Sequence, residues 1–292
     1  MAKRFIAVVF ILVGCSKAPP PRLQSFAPLE SRGAGTLYVF LSNFKSRAIR
    51  SVDLTAGKVL PQVLPPQPQA WLRWNPFSGT LGVLNQTGAA GFTQAKDSLE
   101  FTSQFALPAE NPQDVFFLSE DEAYFTLHGS NTIERRRLST GEILATLDVS
   151  PWKDEDGFSE PTYFLAAAGK VFVVLQTVHM QLFRPSGPGY LLPIDPQTNS
   201  FGEPLPLTLP NPFGEPRVLD GNLYIGEAGK LGLTDPKLDG GIECIDPLEE
   251  SKLGIVIDEA TLGGDLLSFE MLTEDSGFAI VGTPSTQLVR FE

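Results

Sequence analysis

Two histidines, two cysteines and one run of acids are the residues from which this 292-residue chain could build chemistry. His128 ends a strand-like pattern, and His179 lies in a long insertion. A histidine-based zinc site needs several ligands at defined spacing, and neither HExxH nor CxxC occurs. Each His therefore reads as a solvent-facing or hydrogen-bonded polar residue. Lys153-Asp154-Glu155-Asp156-Gly157 places three carboxylates before a glycine. A calcium loop alternates its oxygen ligands along the chain. These acids are consecutive and should point in different directions, so a solvated loop is expected and no metal is assigned. Leu238–Gly241 (LDGG) and Leu262–Asp265 (LGGD) open no helix and so make no phosphate cradle. Arg184–Gly189 (RPSGPG) has a serine with no base in view, and no G-x-S-x-G elbow occurs. Cys244, in GGIECIDP, reads as a small buried strand residue. No catalytic residue is identified, and no cofactor is expected.

The elements that must position these residues are short strands. Runs rich in β-branched and aromatic residues recur between Gly, Pro, Asn and Asp: TLYVFLS (36–42), GTLGVLN (79–85), EAYFTLH (122–128), KVFVVLQ (170–176), GNLYIGE (221–227) and GFAIVGT (277–283). No stretch of a dozen residues keeps a helical period. The segments SVDLTAGKVL (51–60), RRLSTGEIL (136–144) and PIDPQTNSF (193–201) each end a strand, turn tightly and begin another. In them Asp can bond its own backbone, Pro sets φ, and Gly or Asn accepts positive φ. The repeating plan is strand, turn, strand, loop, strand, turn, strand, with full units at about 69–110, 111–157, 158–214 and 215–265 and strand-rich fragments at 36–60 and 266–292.

This plan resembles the blades of a β-propeller, and within them the YVTN-like family of bacterial surface and periplasmic propellers. The resemblance rests on Leu37-Tyr38-Val39, Leu223-Tyr224-Ile225 and the turns Val52-Asp53, Ile194-Asp195 and Ile245-Asp246. It implies an all-β propeller over 36–292 and no particular activity. Six blades are favoured. Five follow if the two terminal fragments merge, and seven if 158–214 hides further strands. The alternative fold is a pair of β-sandwiches.

The N-terminus supplies an address. Lys3 and Arg4 precede the apolar or small run Phe5–Gly14, which is signal-peptide length and too short to span a bilayer. Leu12-Val13-Gly14-Cys15 resembles a bacterial lipobox. That resemblance implies cleavage after residue 14, acylation of Cys15 and a membrane partner reached through the lipid. Stable anchoring takes more than one acyl chain, which triacylation would provide. Ser16, by analogy with sorting rules, favours the outer membrane. Residues 15–35, with Pro19, Pro20, Pro21 and Pro28, read as an extended tether.

Net charge is −12, which argues against nucleic acid as a partner. With Cys15 lipidated, Cys244 has no disulfide partner. The insertions 148–160 and 179–189 are the expected recognition loops. Trp152, Phe158, His179, Phe183, Arg184 and Tyr190 are of the types that anchor interfaces, although Trp152 and Phe158 could equally pack on a blade edge. The expected function is a lipid-anchored envelope module that binds another envelope protein or polymer. The alternative is a propeller enzyme, a lactonase-like hydrolase or a quinoprotein. Carboxylates converging at one end of the sheets would favour it.

Overall fold

The computed structural model describes residues 36–42, 47–53, 56, 58–64, 70–85, 91–95, 101–107, 111–179, 184–231, 237–282 and 285–292. The signal segment, Cys15, Ser16, the tether and Phe183 lie outside the described residues. The chain divides into two compact units, 1–109 with 139–141, and 110–138 with 142–292.

The first unit holds two antiparallel sheets. One is β1 (Thr36–Ser42), β2 (Arg47–Asp53) and β3 (Lys58–Leu64), and the other is β4 (Ala70–Asn75), β5 (Thr80–Asn85), β6 (Gly91–Ala95) and β7 (Phe101–Ala106). The second unit begins with the meander β8 (Pro112–Phe117), β9 (Glu122–Leu127), β10 (Thr132–Arg137) and β11 (Ile143–Asp148). A single 3₁₀ turn, Ser150–Trp152, follows. The next sheet pairs β12 (Pro161–Ala167) with β13 (Lys170–Leu175). The described part of the following insertion forms the hairpin β14 (Val178–His179) and β15 (Arg184–Pro185). The chain returns as β16 (Pro188–Asp195), whose outer neighbours are β17 (Ser200–Phe201) and β18 (Leu205–Pro210). Then come β19 (Arg217–Leu219), β20 (Asn222–Glu227), β21 (Gly241–Asp246) and β22 (Ser251–Asp258), the short helix α1 (Glu259–Leu262), and β23 (Leu266–Met271), β24 (Gly277–Val281) and β25 (Gln287–Phe291). Six sheets of three or more strands therefore occur among the described residues.

Strand β13 shows why the chain reads as unbroken apolar runs. Val171, Val173 and Leu175 pack with Tyr124, Ile133 and Leu147 of the preceding sheet. Phe172 and Val174 point the other way, onto Leu223, Ile225 and Ile245 of the following sheet. Tyr224, Ile242 and Cys244 then turn onward to Leu266, Phe269 and Val281. A sheet covered on both faces needs apolar side chains at every position rather than at alternate ones. Sandwich sheets would each have one wet face. Here successive sheets stack face to face, as propeller blades do. Gly226 marks a tight approach, since a Cβ there would stand 2.9 Å from the Phe269 ring.

Polar ties lock neighbouring sheets. Buried Asp114 accepts from the Val115 N–H at 2.8 Å and, across the gap, from the Phe164 N–H at 2.9 Å. Thr126 donates to the Thr162 carbonyl at 2.7 Å. Removing one partner of a buried hydrogen bond exposes the full desolvation cost of the other. Asp114→Ala is therefore expected to lower stability by about 1–3 kcal/mol in urea unfolding. A loss within error would show that the tie contributes nothing.

Candidate functional site

One structural position repeats three times in the second unit. Asn111, Glu160 and Asn211 each precede a proline and adopt positive φ, at 54°, 41° and 59°. Their carbonyls accept from the backbone N–H of His128, Gln176 and Ala228 at 3.1, 3.1 and 2.8 Å. Each pair joins the entry of one blade to the exit of its second strand, so all three lie at the same end of the sheets.

A chain of buried side chains links these positions. Asn211 Nδ2 donates to the Gly229 carbonyl at 2.7 Å, which turns Asn211 Oδ1 toward the Gln176 amide at 2.6 Å. Gln176 Oε1 is then left to accept from His128 Nε2 at 2.9 Å. This order puts the His128 proton on Nε2 and leaves Nδ1 as a bare acceptor, which has no hydrogen-bond partner. Burial holds the His128 pKa below its usual value and the ring neutral, against the hydrogen bond to Gln176 and the charge of Asp156.

Beside this chain the 149–160 connection folds back on itself. Asp156 N–H donates to Asp154 Oδ1 at 2.8 Å, and Phe158 N–H donates to Asp156 Oδ1 at 3.2 Å. The Ser159 hydroxyl donates to the Val149 carbonyl at 2.7 Å and lies 3.0 Å from Asn131 Oδ1 as an alternative acceptor, which pins the loop to the sheet end. The acids do not point apart as their consecutive order suggests. One carboxylate oxygen from each of Asp154, Asp156 and Glu160 lies within 4.8 Å of the others. Only Glu155, between them, faces outward, to Arg184 at 2.8 Å. Asp154 and Asp156 are two apart in a tight turn, and Gly157, at φ 93°, follows them where the chain bends toward Glu160. Burial, then the charge of Asp154, pushes the Glu160 pKa up to about 8. Burial likewise raises that of Asp154.

The remaining sequence candidates separate. His179 Nδ1 stands 3.8 Å from Asp156 Oδ2, and Arg184 is exposed. Trp152 meets Phe201 edge-on, with ring centroids 5.3 Å apart, and with Tyr190 it packs on the core cluster of its sheets. Phe158 is exposed. Cys244 is buried. Sequence reasoning missed Glu160, Gln176 and Asn211. The only local signal was the recurrence of X-Pro before a strand, at Asn111-Pro112, Glu160-Pro161 and Asn211-Pro212.

No protein-family model and no curated protein matches the chain. Solved structures do. A streptogramin B lyase is 16% identical over 87% of this chain and 79% of that one, with a TM-score of 0.57. Hydrazine synthase of Kuenenia stuttgartiensis is 14% identical over 86% and 73%, with a TM-score of 0.62. Virginiamycin B lyase from Staphylococcus aureus is 13% identical over 83% and 73%, at 0.52. At such identities the likeness shows the fold alone, and the chain is a β-propeller.

Proposed function

We propose that this propeller is a lipid-anchored binding module of a bacterial cell envelope. Cys15 carries the anchor, and the end of the second unit bearing the 148–160 connection and, among the described residues, His179 and Arg184 meets another envelope protein or polymer. The observation that carries the reading is the meeting of that connection with those two residues, through Arg184–Glu155 and His179–Asp156, over a buried polar chain. A loop pinned to a sheet end, as Ser159 pins the 149–160 connection, loses little entropy on binding, and function concentrates on loops set on a rigid scaffold.

A second reading is a propeller enzyme. It is favoured by the convergence of Asp154, Asp156 and Glu160 beside a neutral His128, and by the lyase names of two similar propellers.

In-cell crosslinking of the full-length chain followed by mass spectrometry separates the two. One dominant partner joined through 148–160 or 179–190 is expected. Cys15→Ala is expected to move the chain from the membrane to the soluble fraction and to abolish that crosslink. A folded, correctly localised chain with no specific partner would favour the enzyme.

A further inference from the structure

We propose that Asp154, Asp156 and Glu160 hold a divalent cation, with calcium the best match, and that the ion ties the 149–160 connection to the entry of β12. The proposal stands apart from the binding-module reading and survives its failure.

Three carboxylates in one place are ordinary on a surface. Glu160 is not at the surface: it is fully buried. Its Oε2 accepts from the Val178 N–H at 3.1 Å, while Oε1 is inaccessible to water and has no hydrogen-bond partner. Oδ2 of Asp154 is also shut off from water, with the Ser186 hydroxyl acting on the same carboxylate. Among the described residues, no ion pair joins Asp154 or Glu160 to a lysine or arginine. Burying carboxylates beside one another is costly, and without an ion the group avoids that cost by keeping a proton, which Glu160 holds to about 8. A cation at the centre of the group would take the place of that proton.

The repeat strengthens the assignment. The equivalent positions in the other two blades are Asn111 and Asn211, and Asn tolerates positive φ far better than Glu does. The chain places a glutamate there only where the two aspartates stand. The donors are carboxylate oxygens, no two of the three more than 4.8 Å apart, close enough for one cation to bridge, and calcium takes such oxygens in flexible geometry. Calcium prefers oxygen, so His179 Nδ1 is left outside the ligand set.

The test is calorimetric titration and thermal melting of the full chain in detergent after removal of metals by chelation. Calcium is expected to bind at one ion per chain and to raise the melting temperature. Glu160→Gln is expected to weaken calcium binding by at least about 10-fold. The same variant without calcium is expected to melt no lower than the wild type, because Gln keeps the shape of the protonated acid and an acceptor for the Val178 N–H. Glu155→Gln, facing outward, is expected to bind as the wild type does. If Glu160→Gln fails to fold, Asp156→Asn replaces it, and terbium luminescence sensitised by Trp152 and displaced by calcium gives a second readout. Absence of any response to millimolar calcium overturns the proposal. So does calcium binding that Glu160→Gln and Asp156→Asn both leave unchanged, or a response to zinc alone.

Discussion

Tyr124→Ala is expected to cost about 3–5 kcal/mol of folding stability, a large share of what a single domain possesses. Tyr124 is fully buried on β9. Its ring lies 6.1 Å from that of Phe164 on the next sheet. Its hydroxyl donates to Asn199 Oδ1 at 2.7 Å, an oxygen that also accepts from Arg135 at 3.1 Å. Truncation would leave a cavity between two stacked sheets and strip one partner from Asn199. Tyr124→Phe keeps the ring and should lose only about 1 kcal/mol. Urea unfolding of the three chains checks both values, with an unchanged m-value confirming that stability alone has moved. A loss under about 1 kcal/mol for alanine would mean that this site collapses around the missing ring.

Tyr124 also shows what could be read before the structure. The run EAYFTLH announced a strand with apolar residues at successive positions, because the sheet is buried on both faces. The turn PIDPQTNSF announced its own geometry, since Asp195 Oδ1 accepts from the Gln197 N–H at 2.8 Å and Asn199 sits at φ 55°. These are local effects, settled within a few residues, so the sheet boundaries at 112–148 and 161–210 fall close to the units read from the chain. The candidate site is different. His128 meets Gln176 across 48 residues, and Gln176 meets Asn211 across 35. Such contacts arise from one sheet stacking on the next, which no short motif encodes. Glu160 looked like the residue before a strand because locally it is one. Its burial against Asp154 and Asp156 depends on how the loop folds back, and consecutive acids in a sequence carry no sign of that.

The second large effect concerns pH. Glu227, on β20, is fully buried, and Leu209 N–H donates to its Oε2 at 3.3 Å while Oε1 has no partner. Burial first, and then repulsion from Glu243, pushes its pKa up to about 9, against a partial offset from the Leu209 hydrogen bond and Lys252. The unfolded chain releases this proton above its ordinary value of 4.5, whereas the folded chain keeps it until about 9. The folded state thus binds more protons across that window, and stability falls as pH rises by about 1.4 kcal/mol per unit for this one group. Glu227→Gln has the shape of the protonated acid and no proton to lose. Near pH 5 the two chains should be almost equally stable. By pH 9 the variant should be the more stable by several kcal/mol, of order the summed slope. Glu160 and Glu259, raised to about 8 and about 7, tilt both curves in the same sense, so the difference between the chains isolates Glu227. Parallel curves across pH 5–9 would mean that Glu227 is ionised in the folded state, and that a cation or water reaches its Oε1.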